Sequence, residues 1–319
     1  MSGKLKLGLV GARGYVGREL LRLVAGHPAL QLAYASSRQF AGEDIAQQVP
    51  GVDRGLRYEA LDAAAVAGRD ADIIVLALPE GLAARYAGEI GQDRIIVDLS
   101  GDHRFDSNWQ YGLPEHNRDE LAGSRRISNP GCYATAMQLA LAPLLEHLDQ
   151  PPHCFGVSGY SGAGTTPSQK NDPAVLAANL LPYKPIGHLH EREVSHRLGR
   201  EVRFMPHVAE FFRGISMTVA ATLNRPLTAD DVAACYDGAY LNEPLVQVST
   251  DTPLVAAAAG KHRACVGGWQ LSDDGTRLVV YATLDNLLKG AATQALQNIN
   301  LACGQPELEG LRDELAMEQ

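Results

Sequence analysis

The chain has no run of about 18 apolar residues, the length a membrane-spanning helix needs, so no bilayer span is expected. Paired cysteine motifs are missing too. Five cysteines, at 132, 154, 235, 265 and 303, are scattered and odd in number. This argues against a disulfide framework and for reduced thiols in a cytoplasmic protein. Excess positive charge is also absent. A formal net charge of -9 speaks against a broad nucleic-acid surface. It does not exclude a small anionic substrate, which a few local Arg and Lys groups can bind. No repeat or low-complexity tract interrupts the sequence. The first apolar stretch, after MSGKLK, is short and runs into a glycine turn, so a first strand is expected rather than a signal peptide.

What is present suits a folded protein of two domains: 319 residues, 45% hydrophobic and 20% charged. Lys4 to Val10 reads as a buried strand. Gly11, Gly14 and Gly17 follow, then a helical pattern that Gly26 and His27-Pro28 end. LQLAYASS, ADIIVLALP and RIIVDLSGD read as further strands, and their nearly unbroken apolarity fits central parallel strands covered on both faces. Residues 1–131 are therefore expected to form a Rossmann-like, doubly wound parallel sheet. After Asn129-Pro130-Gly131 the pattern changes. TAMQLALAPLLEHL predicts a helix closed by Pro151-Pro152, and TADDVAACYDGAY a helix with a capping Thr. HCFGVSGYSG, VRFMPHVAEFF, GISMTVAATLN and RLVVYATLDN alternate like strands. Residues 132–286 thus read as an α+β domain on a mixed or antiparallel sheet, and the segment 287–319 is expected to rejoin the first domain.

Three segments carry chemistry. GLVGARGYVGREL sets Gly11, Gly14 and Gly17 between a strand and a helix, with Arg13, Tyr15 and Val16 among them. Glycine permits positive φ and close approach to a pyrophosphate at a helix N-terminus. A ligand-free βα turn would show the same triplet. The second strand ends in Ser36-Ser37-Arg38, where an NAD site would usually offer an acid; two hydroxyls and a guanidinium favour the 2′-phosphate of NADP(H). In SNPGCYATAMQLAL, Cys132 opens a helix, where the dipole and backbone N–H groups stabilise a thiolate and can receive an oxyanion. By local chemistry it is equally a small buried hydrophobe, the reading given to Cys154, Cys235, Cys265 and Cys303. GHLHEREVSH supplies His188, His190 and His196, suited to acid–base work. No third ligand stands at a metal-binding spacing, so no metal is expected.

SNPGCYAT resembles the active-site segment of the N-acetyl-γ-glutamyl-phosphate reductases, relatives of aspartate-semialdehyde dehydrogenase. The resemblance covers nearly the whole chain, with GLVGARGYVGREL, ALPEG, VDLSGDHRF, YGLPE, SGYSGAG, MPHVAEFFRGI and LDNLLKGAATQALQNIN in the family's order. It implies an NADP-dependent acyl-phosphate reductase with Cys132 as nucleophile, His188 and His190 as acid–base candidates, and Glu193 orienting His190. It places Leu78, Pro79, Ser161, Gly162, Gly164 and Asn286 at the cofactor. Arg104, Glu115 and Arg213 fall at the substrate, and Lys261 is a further cation to consider. Departures from the family pattern are Glu80 for His, Thr165-Thr166 for Arg-Lys, Leu189 for Arg, Arg192 for Pro and Glu210 for Pro. The implied reaction converts N-acetyl-L-glutamyl 5-phosphate to the 5-semialdehyde and phosphate, in a homodimer or homotetramer. Two alternatives stay open: the same chemistry on aspartyl or carrier-bound aminoadipyl phosphate, and a non-catalytic nucleotide-binding regulator.

Overall fold

Two seven-stranded sheets organise the chain in the computed structural model, which describes residues 3–311 and Leu315. Residues 312–314 and 316–319 of the expected C-terminal segment, and the first two residues, lie outside the described ones. The chain divides into one unit of residues 1–130 and 291–319 and a second of 131–290. No helix among the described residues is long and apolar enough to cross a membrane.

The first unit holds β1 (Leu5–Val10), β2 (Leu30–Ser36), β3 (Tyr58–Glu59), β4 (Ile73–Leu76), β5 (Ile95–Asp98), β6 (Gln110–Tyr111) and β7 (Arg126–Ser128). Their order is β3-β2-β1-β4-β5-β7-β6 and every pairing is parallel. Ile73, Ile74, Val75 and Leu76 of β4 are completely buried, as an apolar run covered on both faces should be. Chain order reverses between β1 and β4, the place where such sheets bind ligands beyond the strand ends. The C-terminal helix Thr293–Ala302 is buried almost throughout and belongs to this unit. It is tied in by polar groups: Asn298 Nδ2 donates to Gly112 O (3.0 Å) and Asn129 Oδ1 (2.9 Å), and Gln294 Nε2 donates to Gly112 O (2.7 Å).

The second unit holds β8 (His153–Gly159), β9 (Leu180–Pro182), β10 (Arg203–Ala209), β11 (Ile215–Thr222), β12 (Val246–Ser249), β13 (Ala264–Leu271) and β14 (Arg277–Leu284). The order β12-β13-β14-β11-β8-β10-β9 mixes parallel and antiparallel pairs. One face packs Cys154, Phe204, Met217, Val219 and Val280 against Tyr133 and Met137 of the helix Cys132–Leu141 and Tyr236 of the helix Ala229–Tyr240. The expected single helix through His147 is divided. The α-helix ends at Leu141 and a tighter 3₁₀ stretch runs Ala142–His147. Pro143 is the reason, since it has no N–H for the helical ladder. The buried helix end has its carbonyls served from outside: Tyr236 donates to Ala140 O (2.6 Å) and Tyr240 to Leu139 O (2.8 Å).

Candidate active site

In the first unit, β1 delivers the chain into the glycine turn. Gly11 takes φ +87°, and a Cβ there would stand 2.1 Å from Ala77 O, so only glycine fits. The N–H groups of Gly11 and Ala12 both donate to Ser36 O (3.1 and 3.0 Å), binding the turn to the end of β2. Gly17 lets the following helix, Tyr15–Ala25, settle on the turn, because a Cβ there would meet Ala12 Cα at 2.8 Å. Gly14 serves a different purpose. A Cβ on it would touch only Gly11 O, at 3.8 Å, and it opens the helix with no side-chain cap. An open turn in front of an uncapped helix N-terminus fits a dinucleotide pyrophosphate. Ser36 and Ser37 are buried at the end of β2, while Arg38 is exposed beside them. Arg13 reaches across to Gln39 of the same loop. Leu78 and Pro79 follow β4 and are half-buried and exposed respectively.

Of the substrate candidates in this unit, Arg104 is held by backbone carbonyls. Arg104 is 5% exposed; its Nε donates to Asn129 O (3.0 Å) and an NH2 group to Leu99 O (3.2 Å). Glu115 lies half-buried in the first turn of the helix Pro114–Leu121. Asp102, in the same GDHRF block, caps the helix Ala83–Glu89 by accepting from the Gly81, Ala83 and Ala84 N–H groups.

In the second unit, Cys132 is the first residue of its helix, after Gly131, which has extended φ/ψ and no side-chain cap. Glu193, completely buried, accepts the Gly131 N–H on Oε1 (3.0 Å). The carboxylate expected to orient His190 thus holds the turn that presents Cys132. His188 caps the helix Leu189–Leu198, and its Nδ1 accepts the His190 N–H (3.1 Å). The His188 and His190 rings are 4.8 Å apart, and the Tyr133 ring lies 6.4 and 6.0 Å from them. Tyr183 contacts His188 edge-on at 5.6 Å, with the Lys170 ammonium 4.9 Å above its own ring. Burial, with Cys132 as a further neighbour of both, pushes the Tyr133 and Tyr183 hydroxyls well above the usual phenol range. Both stay protonated, and the Tyr133 hydroxyl donates to His207 O (2.6 Å). Burial likewise raises the other four thiols, Cys303 to about 11, which disfavours the thiolate form in each.

A second cluster lies along β11, β14 and the segment after β8. Ser161 Oγ accepts from Asn286 Nδ2 (2.9 Å), and Asn286 Oδ1 accepts the Gly214 N–H (2.7 Å). Gly162 packs on Ser158 Oγ, which a Cβ would approach to 2.9 Å, and Gly164 takes φ +75°. Arg213 turns its Nε and an NH2 group onto Asp285, a completely buried carboxylate. Sequence reasoning passed over Asp285 and Gly290. A Cβ on Gly290 would lie 2.8 Å from Cys132 Cβ. The available signal was a lone glycine inside a helical pattern, which commonly marks a close approach.

A doubly wound dinucleotide-type sheet, joined to a mixed-sheet unit whose first helix starts with a cysteine and packs Tyr133 against two histidines, defines an oxidoreductase of the semialdehyde dehydrogenase class. Family models agree: residues 6–124 match the semialdehyde dehydrogenase NAD binding domain and 132–286 the semialdehyde dehydrogenase dimerisation domain. The N-acetyl-gamma-glutamyl-phosphate reductase of Xanthomonas euvesicatoria pv. vesicatoria is 55% identical over 309 residues, 96% of this chain and 98% of that one. That of Stenotrophomonas maltophilia is 56% identical over 308 residues, 96% and 97% of the two chains. The chain belongs to the N-acetyl-γ-glutamyl-phosphate reductase family. Among solved structures, aspartate semialdehyde dehydrogenase II of Vibrio cholerae, complexed with ASA, superposes with a TM-score of 0.75 at 18% identity, covering 95% of this chain and 99% of that one. A probable aspartate-semialdehyde dehydrogenase of Pseudomonas aeruginosa does so at 0.75 and 22%, covering 94% and 98%. These two share the fold.

Proposed function

We propose that the chain reduces N-acetyl-L-glutamyl 5-phosphate to N-acetyl-L-glutamate 5-semialdehyde with NADPH, in arginine biosynthesis, through a thioester on Cys132. The observation that carries this is Cys132 at the head of a helix without a side-chain cap, whose next residue, Tyr133, packs edge-on against His188 and His190. It occurs in a chain more than half identical to N-acetyl-gamma-glutamyl-phosphate reductases over 96% of its length.

His190 is the proton carrier in this reading. The Nδ1 of His188 already accepts a backbone N–H, so the neutral ring carries its proton on Nε2 and has no lone pair left for a thiol proton. His190, two residues on, takes the proton from Cys132 and passes it to the leaving phosphate. The sulfur attacks the acyl carbon, the C–O bond to phosphate breaks, and hydrogen phosphate departs. Backbone N–H groups at the helix start stabilise the oxyanion. When bound, the reduced nicotinamide supplies a hydride to the thioester carbon. The C–S bond then breaks, releasing the aldehyde and regenerating the Cys132 thiolate. The glycine turn would hold the pyrophosphate, and Ser36, Ser37 and Arg38 the 2′-phosphate that selects NADP over NAD. Arg104 and Glu115 remain substrate candidates in this proposal, Arg213 being engaged by Asp285, with Ser161, Gly162, Gly164 and Asn286 at the cofactor.

Self-association uses the second unit. The outward face of its sheet presents Phe155, Val157, Met205, His207, Thr218 and Tyr281 on paired strands, with no charged group among these six. In this reading the chain works as a homodimer or homotetramer in the reducing cytoplasm. The deciding experiment is a turnover assay of Cys132→Ala on N-acetylglutamyl, aspartyl and aminoadipyl phosphates. Loss of activity is expected, with the wild type preferring the first substrate. Phosphate-releasing reduction by the alanine variant would overturn the thioester route.

A further inference from the structure

We infer that Asp285, Arg213 and Gly290 are positioning residues for Cys132, and that Arg213 acts through this turn rather than on the substrate. The inference rests on Cys132 being the nucleophile. After β14 the chain does not enter an ordinary helix. Leu288–Ala292 is π-helical, and the Gly290 N–H reaches five residues back to Asp285 O (2.9 Å). Such wide turns cluster at functional sites. Here the turn brings backbone against the nucleophile's own carbon. A Cβ added to Gly290 would stand 2.8 Å from Cys132 Cβ, 3.1 Å from Asp285 O and 3.1 Å from Leu284 Cδ1. Cys132 Cβ is fixed to its own backbone and Asp285 O is backbone, so of the three only the Leu284 methyl can turn aside. Cys132 Cβ carries the sulfur, so any relief of that contact moves the reacting atom.

Asp285 holds the turn in place. Its carboxylate accepts from Arg213 Nε and NH2, from the Gly260 N–H, and from the Leu287 N–H (2.8 Å) and Leu288 N–H (3.1 Å). Five donors from three stretches of chain leave a completely buried carboxylate one orientation. The same contacts bear on Arg213. A guanidinium that anchors a substrate anion keeps its charge for that anion. This one directs two N–H groups at a buried carboxylate, which matches its charge.

The two roles for Arg213 predict opposite results. The full-length enzyme would be prepared as wild type, Gly290→Ala, Asp285→Asn and Arg213→Met. Readouts are kcat and KM separately, melting temperature, and the rate of Cys132 alkylation by iodoacetamide against pH, located by mass spectrometry. A nucleophile displaced by about 1 Å loses on the order of 100-fold in rate. Gly290→Ala should lose roughly this in kcat with KM little changed, and its alkylation–pH curve should shift. Asp285→Asn and Arg213→Met should move kcat and alkylation the same way. A substrate-anchor role predicts unchanged alkylation in all three, KM raised alone in Arg213→Met, and KM unchanged or lowered in Asp285→Asn, where the guanidinium is released. Wild-type kcat and alkylation in Gly290→Ala would overturn the inference. That variant decides the matter if loss of the buried pair prevents folding, because Gly290 does not need positive φ. Turnover by Cys132→Ala would instead overturn the nucleophile reading on which it rests.

Discussion

Replacing His188 and His190 one at a time by asparagine separates a helix cap from a proton carrier. Asparagine is among the best N-cap residues and carries no titrating nitrogen. His188→Asn should therefore keep the bond to the His190 N–H. What it loses is ring packing against Tyr133, Tyr183 and Phe204, at 6.4, 5.6 and 5.3 Å. Aromatic pairs contribute about 0.5–1.5 kcal/mol each. A net destabilisation of about 1–2 kcal/mol follows, part of the space being refilled, and kcat should stay within a few-fold. His188→Ala loses the cap as well, adding about 1 kcal/mol. His190→Asn behaves differently. Its ring is half-buried at the start of the helix Leu189–Leu198, and the backbone N–H that His188 accepts is untouched. Stability should change by under about 1 kcal/mol, while removal of the acid–base group should cost about 10²–10⁴-fold in kcat, or about 3–5 kcal/mol of barrier. Urea unfolding supplies the stabilities, and steady-state kinetics in both directions supplies the rates. If His188→Asn loses as much rate as His190→Asn while remaining folded, the assignment of the proton to His190 is refuted.

Two further outcomes test the first unit. Gly17→Ala puts a methyl group against Ala12 Cα, C and O at 2.8–2.9 Å and lifts the Tyr15–Ala25 helix from the glycine turn; NADPH affinity, read by fluorescence titration, should fall at least about tenfold, roughly 1.4 kcal/mol. His27 is buried, accepts the Ala29 and Leu30 N–H groups on Nδ1, and pairs Nε2 with Asn300, so desolvation lowers its pKa below the usual 6.5. Below that value the unfolded chain binds the extra proton first, so this contribution is complete above about pH 6.5 and declines as pH falls toward the folded pKa. Unfolding measured at pH 7.5 and 5.5 should show wild type losing more stability than His27→Gln, and equal losses would contradict the argument.

Local chemistry was readable from consecutive residues. Glycines three apart after an apolar run specify a tight βα turn, since positive φ at Gly11 and the contact at Gly17 involve chain only a few residues away or one strand over. Asn129-Pro130-Gly131 ends an extended segment, which leaves Cys132 nowhere to be but at a helix start. Thr228 followed by Asp231 makes a capping box, and the helix duly begins at Ala229. Even the split helix after Leu141 had its cause, Pro143, in plain view.

Partnership at long range was not readable. Glu193 meets Gly131 across 62 residues, and Arg213 meets Asp285 across 72. Gly290 touches Cys132 only because β14 delivers its following turn beneath the first helix of the unit. Each pairing depends on strand order and register in the second sheet, which many residues set jointly and no short motif encodes. A guanidinium read from its neighbours in sequence looks available to an anion. Whether a buried carboxylate already holds it is decided by packing, because burying a charge without its counter-charge costs too much free energy for the fold to tolerate.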